Sequence, residues 1–305
     1  MKRGVLFLLA VLAALLTWSP AASADTRTVL YGPFTLGPGT MDDPYETGNK
    51  LRLGVRRPCS DCFITKFTPD LVDAATGQSV NMDKGPMLHH AVWTSQWRQD
   101  ATCGNNWLGL AGQRFFASGN ERSVVDYPYG YGYRVRWYDS WNMLVDLMNH
   151  SEVERSVYVK LTVETRPSWA SVASVRPVWL DIDQCGDSEY DIPVPDKLEN
   201  GFSDTHSDWT VNVPGNVVSA IGHVHGHGVA VEATNESAGG RSICRSTATL
   251  DPTNVHNVLS MSPCVDNPLA TIQSGQTVRL HSEYQSAHYP LEDVMGIMLM
   301  YVRPQ

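Results

Sequence analysis

The stretch Gly222-His223-Val224-His225-Gly226-His227-Gly228 alternates three imidazoles with small residues, between apolar runs at 217–221 and 229–231. On a strand, successive side chains point to opposite faces, so His223, His225 and His227 are expected on one face, close enough to chelate one ion. Three imidazoles on one face are a poor choice for mere solvation, and histidine is a common metal ligand. The glycines remove bulk from the opposite face, where another backbone can approach. A second candidate is His89-His90 within Pro86-Met87-Leu88-His89-His90-Ala91-Val92-Trp93. Adjacent strand residues face opposite ways, so both can reach one ion only where the strand twists or ends. A third is His150, which closes the run Trp141-Asn142-Met143-Leu144-Val145-Asp146-Leu147-Met148-Asn149-His150. Imidazole suits zinc, copper and iron, whereas a thioether selects copper, Cu(I) above all. The last strand offers Met295, Met298 and Met300. Core filling is the usual role of strand methionines, and Met295, before Gly296, is the one most accessible to a metal.

The elements that must position these residues read as strands. Val157, Val159, Leu161 and Val163 alternate with Tyr158, Lys160, Thr162 and Glu164, and Thr277 to Tyr284 alternates again. Gly/Pro turns punctuate the chain and no helical period is sustained, which predicts an all-β protein built as sandwiches or jelly rolls. Arg166-Pro167-Ser168-Trp169-Ala170-Ser171 interrupts the strands as the candidate link. The expectation is two tandem antiparallel β-sandwich (jelly-roll-like) domains, 25–168 and 169–305, after a signal peptide over 1–24. Lys2-Arg3, an apolar run at 5–16 and Ala22-Ser23-Ala24 form the three-part secretory pattern, too short to span a bilayer. The product is expected to be secreted or extracytoplasmic, monomeric and without a membrane span.

Six cysteines in an exported chain read as disulfides. Cys244 and Cys264 flank one short segment and are the expected pair, and Cys59-x-x-Cys62 is expected to be disulfide-bonded rather than zinc-bound. The formal charge of −9, with no basic cluster, excludes a nucleic-acid partner.

The His-His pair, a later histidine near a strand end, a His-x-His strand and a methionine in the last strand, in that order, resemble the copper type II, ascorbate-dependent monooxygenases. These include the peptidylglycine alpha-hydroxylating and dopamine beta-monooxygenases. The match is strongest in Gly222-His223-Val224-His225-Gly226, Ser274-Gly275-Gln276-Thr277-Val278 and Asp293-Val294-Met295-Gly296. The chain is also similar to the plant stress-up-regulated nodulin family, through Gly240-Arg241-Ser242-Ile243-Cys244, Met261-Ser262-Pro263-Cys264, Ser282-Glu283-Tyr284 and Val294-Met295-Gly296. The first resemblance implies one copper in each of two domains, facing each other across a solvent-filled cleft. It implies that His89, His90 and a third histidine, His150, hold the electron-donating copper. His223, His225 and Met295 would hold the copper that binds oxygen and removes hydrogen from a C–H bond of a small or peptidic substrate, with ascorbate as reductant. A register shift of one residue would put Asn149 in place of His150 and leave only two histidines for the first copper. His227 is an extra imidazole that would compete with Met295 and favour Cu(II) or zinc.

A non-catalytic copper-binding or stress-response protein, keeping one copper rather than two, is the alternative from a different class. A cupin-like enzyme would share the His-x-His strand, but Glu232 lies too far beyond His225. No Gly-x-Ser-x-Gly elbow, phosphate loop or His-Glu-x-x-His helix is present. Asp181/Asp183 and Glu292/Asp293 read as solvated strand ends rather than a glycosidase dyad. His281 reads as surface and His288 as a support for the metal site, while His206 and His256 have no partner by spacing.

Overall fold

The computed structural model describes residues 24–104, 112–194, 201–285 and 288–305; all but Ala24 of the expected signal peptide lies outside the described residues. The first half forms β1 (Asp25–Leu36), β2 (Tyr45–Glu46), β3 (Lys50–Val55), β4 (Cys62–Asp73) and β5 (Pro86–Ser95). It continues with β6 (Gln113–Gly119), β7 (Val125–Asp126), β8 (Tyr131–Val135), β9 (Trp141–Asn149) and β10 (Arg155–Pro167). The second half begins with β11 (Ala173–Asp181), β12 (Tyr190–Ile192), β13 (Phe202–Thr210), β14 (Gly215–Val224), β15 (Gly228–Asn235) and β16 (Arg241–Asp251). It ends with β17 (Asn254–Met261), β18 (Cys264–Ile272), β19 (Thr277–Gln285), β20 (Leu291–Val294) and β21 (Gly296–Pro304). The expected all-β class is what the chain adopts. No helix of the described residues is long and apolar enough to cross a membrane.

Each half packs two sheets face to face. In the first, β1-β10-β4-β8 lies on β2-β9-β5-β6, with β7 added to β4 and β3 to β9. Val157, Val159, Leu161 and Val163 are all buried, as the alternation in β10 requires. Phe67 of β4 stacks on Phe116 of β6 at 4.6 Å, and Tyr31 of β1 meets Trp93 of β5 at 5.8 Å. In the second half, β11-β21-β14-β18 lies on β13-β19-β15-β16-β17. Here Gly222 on β14 lets the sheets close, since a Cβ on it would sit 2.2 Å from Val231 Cγ2.

The halves are joined by more than the turn at 168–172. β8 and β11 pair in parallel through Ala173↔Tyr131, Ser174↔Gly132 and Val175↔Tyr133, so one nine-stranded sheet runs through both halves. Beside this rung, the buried Arg114 guanidinium bonds the Asp100 carboxylate (2.9 and 3.0 Å) and lies over the Trp179 ring at 4.8 Å. Cys103–Cys185 crosses the same seam, and Cys244–Cys264 and Cys59–Cys62 are bonded as expected.

Three local expectations are corrected. The last strand is broken: β20 ends at Val294 and β21 starts at Gly296, leaving Met295 in the break. The histidine strand stops at Val224, so His227 does not share its face. It sits in a turn at φ 65°, with its ring edge-on to His256 at 5.0 Å and its Nε2 2.9 Å from the Tyr289 hydroxyl. Asp181 is not solvated. It is fully buried, accepts from Trp179 Nε1 (3.0 Å) and from the Ser188 hydroxyl, and burial raises its pKa.

Candidate metal centre

His89 and His90 both reach the seam because β5 carries a bulge between them and the preceding turn of the ladder. Leu88 pairs with Leu147 and His90 with Asp146, so β5 spends one more residue than β9 and His89 is the extra one. The irregular step brings two neighbours that would face opposite ways to within 5.1 Å, ring to ring. From the other half, His223 lies in the next-to-last rung of β14, opposite Ile297, and His225 just beyond the strand's end. The Tyr284 hydroxyl holds that end: it accepts from the His225 N–H (2.8 Å) and donates to the Met295 carbonyl (2.6 Å).

The four rings then run as a chain across the seam. His90 and His89 are 5.1 Å apart, His89 and His225 4.9 Å, and His225 and His223 5.4 Å. With metal–nitrogen bonds of about 2.0–2.1 Å, two imidazoles on one tetrahedral ion have ring centres ~5 Å apart. The His89-His90 cluster of the first half and the His223/His225 cluster of the second are in direct ring contact at the seam, which the continuous sheet and the crossing disulfide hold together. Donor atoms of His89, His90 and Asp146 all lie within 4.8 Å of one another.

Each imidazole is oriented through one nitrogen, leaving the other free. His90 Nε2 donates to Asn49 Oδ1 (2.7 Å), His223 Nδ1 to Glu121 Oε1 (3.2 Å), and His225 Nδ1 to the Asp293 carbonyl (2.8 Å). His89 Nδ1 faces Asp146 Oδ2 at 3.4 Å. The complementary atoms His90 Nδ1, His223 Nε2 and His225 Nε2 are buried and meet no hydrogen-bond partner. Buried orphan nitrogens are costly, and a carboxylate or carbonyl behind each ring is how metal-bound histidines are fixed in one tautomer. Among the described residues, His89, His90 and Asp146 have donor atoms close enough together for one metal ion, and His225 and His223 extend the chain of free imidazole nitrogens beyond them.

The electrostatics agree. Burial, with the charge of His89, lowers the His90 pKa to about 3, and burial drives His225 well below its ordinary value, so both offer neutral lone pairs. Burial alone would raise the Glu121 carboxyl, but the His223 charge and hydrogen bond, with the Gly119 N–H, hold it at about 2. Asp146 likewise stays below its ordinary value despite burial, through His89. Two ionised, largely buried carboxylates, one beside His223 and one beside His89, favour a bound cation.

Gly119, opposite His90, makes room for this cluster: a Cβ there would lie 2.7 Å from His223 Cε1 and 2.5 Å from Glu121 Oε2. On one side of the centre is an open cleft of about 760 Å³, which His89, His150, His223 and His225 line. On the other is a smaller cavity of about 250 Å³, walled largely by apolar side chains and reached by His90, His223 and Met295. Met295 is buried beside this cavity, while Met298 and Met300 are core. His150 is outside the chain of rings but lines the same cleft as His89, and burial, outweighing a backbone hydrogen bond at Met41, lowers its pKa. Asn149 does not replace it, since its amide is tied to the Gly37 and Val153 carbonyls at 2.7 and 2.9 Å. His288 is exposed.

Sequence reading missed Asn49, Gly119, Glu121 and Asp146. Only Asp146 leaves a signal, as a lone acid in an apolar strand on the same face as His150.

Residues 146–305 match the family described as Stress up-regulated Nod 19. The chain is 25% identical over 293 residues to a probable copper-dependent oxygenase M1 of Phoma sp., covering 90% of this chain and 72% of that one. It is 25% identical over 243 residues to a probable copper-dependent oxygenase clz3 of Cochliobolus lunatus, covering 74% and 75%. Among solved structures, the major capsid protein P2 of bacteriophage PM2 aligns over 92% of this chain and 98% of that one, at 10% identity and a TM-score of 0.33, which carries no functional weight.

Proposed function

The chain belongs to the Stress up-regulated Nod 19 family, and from that premise we propose that it is an exported copper-dependent oxygenase whose metal centre is shared between its two halves. The observation that carries this reading is the contact of His89 with His225, 4.9 Å ring to ring, which unites the histidines of residues 25–168 with those of 169–305. Copper bound there would use O2 and electrons from a reductant such as ascorbate to oxidise a C–H bond. His89, His90, His223 and His225 supply the ligands, with Asp146 and Met295 beside them. Glu121, Asn49 and the Asp293 carbonyl hold the ring protons on the nitrogens that face away from the ion. The cavity walls from Val92, Ala117, Leu144, Ile221 and Leu299 keep water from its inner side and suit an uncharged, apolar part of a substrate. The relatives named as copper-dependent oxygenases support the choice of metal and reaction class, and three disulfides suit an oxidising compartment.

The test is the copper content of His89→Ala, His225→Ala and the double variant, together with ascorbate-driven oxygen uptake. A shared centre predicts that either single variant removes the same copper and that the double removes no more. Additive losses would mean two independent sites. Copper bound without oxygen uptake under any reductant would make the protein a copper carrier rather than an oxygenase.

A further inference from the structure

The smaller cavity beside the centre is walled by two rungs of apolar side chains, one from each half. In the first half, Val92 of β5 pairs with Ala117 of β6 and with Leu144 of β9. In the second, Leu299 of β21 pairs with Ile221 of β14 and with Trp179 of β11. All six line the cavity of about 250 Å³. His90 and His223 line it too, each one rung further along the same strands. His90 is two residues from Val92 on β5 and His223 two from Ile221 on β14, about 7 Å of strand away. The cavity walls and these imidazoles therefore share one face of each sheet.

The walls are fixed before anything enters. The fully buried Asp181 carboxylate accepts from Trp179 Nε1 (3.0 Å) and from the Ser188 hydroxyl, and both residues line the cavity. The other wall hydroxyls are also committed: Ser118 donates to the Gly119 carbonyl (3.2 Å) and Ser123 to the Glu121 carboxylate (3.3 Å). A peptide group entering here would meet hydroxyls already spent, and an unpaired buried amide is costly. Among the described residues, no Lys or Arg lines the cavity or the cleft to bind a carboxylate, while Glu121 and the exposed Asp187 bring negative charge to the cavity. An apolar cavity of about 150 Å³ holds one benzene ring, so this one has room for roughly two fused rings. Ala117 is the smallest of the six apolar side chains, and a longer one there would occupy the space.

We propose that this cavity is the substrate pocket of the centre, and that it takes an uncharged hydrocarbon group of about two fused rings rather than a peptide or a carboxylic acid, with Ala117 setting the size limit. The inference rests on the oxygenase reading and narrows its substrate.

The experiment is equilibrium dialysis of the full chain, copper-loaded and copper-free, against tetralin, phenanthrene and N-benzoylglycine. Tetralin, an uncharged two-ring hydrocarbon with benzylic C–H bonds, is expected to bind both forms. N-benzoylglycine, a carboxylate that carries a peptide group, is expected to bind neither. Ala117→Leu is expected to weaken tetralin binding by about tenfold or more while keeping the copper content of wild type. Leu144→Ala enlarges the other end of the same rung and is expected to admit the three-ring phenanthrene, which wild type excludes; misfolding does not produce such a gain. Unaltered tetralin affinity in Ala117→Leu, or tighter binding of N-benzoylglycine than of tetralin, would overturn the pocket. Binding is read without turnover, so the two readings fail separately. Ascorbate-driven oxygen uptake by a protein that does not bind tetralin would overturn the pocket alone. Tetralin binding that Ala117→Leu weakens, without oxygen uptake, would uphold the pocket and its ligand class and remove the oxygenase.

Discussion

The space around His223 is smaller than a methyl group, and that makes Gly119 as much a part of the centre as the ligands. A Cβ at Gly119 would stand 2.7 Å from His223 Cε1, so Gly119→Ala must push the ring off its hydrogen bond to Glu121. Glu121→Gln leaves the ring in place but replaces the anion behind it with a neutral amide. Support of this kind typically contributes about 10–100-fold in metal affinity. Both variants are therefore expected to weaken copper binding by that order, Glu121→Gln with the wild-type melting curve and Gly119→Ala with a lowered one because its methyl overpacks a buried site, which competition with a copper chelator and thermal unfolding would check. Unchanged affinity in both would remove Glu121 from the centre.

At the scale of elements, the centre depends on where strands go irregular. The β5 bulge brings the rings of two adjacent histidines to within 5.1 Å of each other, and the break between β20 and β21 places Met295 at the inner cavity. The Tyr284 hydroxyl, on fully buried β19 side-chain surface, bridges the ends of β14 and β20. Tyr284→Phe leaves a buried N–H and a buried carbonyl without their partner, at a cost of roughly 1–3 kcal/mol. The expected outcome is a lower melting temperature together with weaker copper binding, since His225 loses its backbone anchor. A stability loss with unaltered copper affinity would show that the bridge serves the fold alone.

At the scale of the whole molecule, the seam decides whether the histidines meet. Asp100 and Arg114 lie within it, both buried, and removing one partner of a buried pair costs about 3–5 kcal/mol. Asp100→Asn is expected to lower unfolding free energy by that order in urea denaturation. Burial would raise the Asp100 carboxyl, but the Arg114 hydrogen bonds and charge outweigh it and depress its pKa. A depressed carboxyl contributes stability that is complete above its unfolded pKa of about 3.9 and is lost as pH falls through the lower folded value. Wild type should therefore lose stability on acidification below that point, and Asp100→Asn should lack this component. Parallel pH profiles for the two proteins would contradict the assignment.

Much of this was legible in the chain itself. Alternation in β10 and β19, the Gly/Pro turns and the absence of a helical period dictate an all-β protein, because strand periodicity is a local property of the backbone. His89, His90, His223 and His225 stood out for the same reason, as imidazoles concentrated in two short strands. What only the tertiary structure decided is that these four rings touch, that His227 leaves their face, and that His150 lines the cleft outside their chain. Those outcomes depend on a bulge, a strand end and a parallel rung between β8 and β11, each set by contacts between residues far apart in sequence. Glu121, Asn49 and Gly119 were invisible for the same reason: their roles consist wholly of what folding brings next to them.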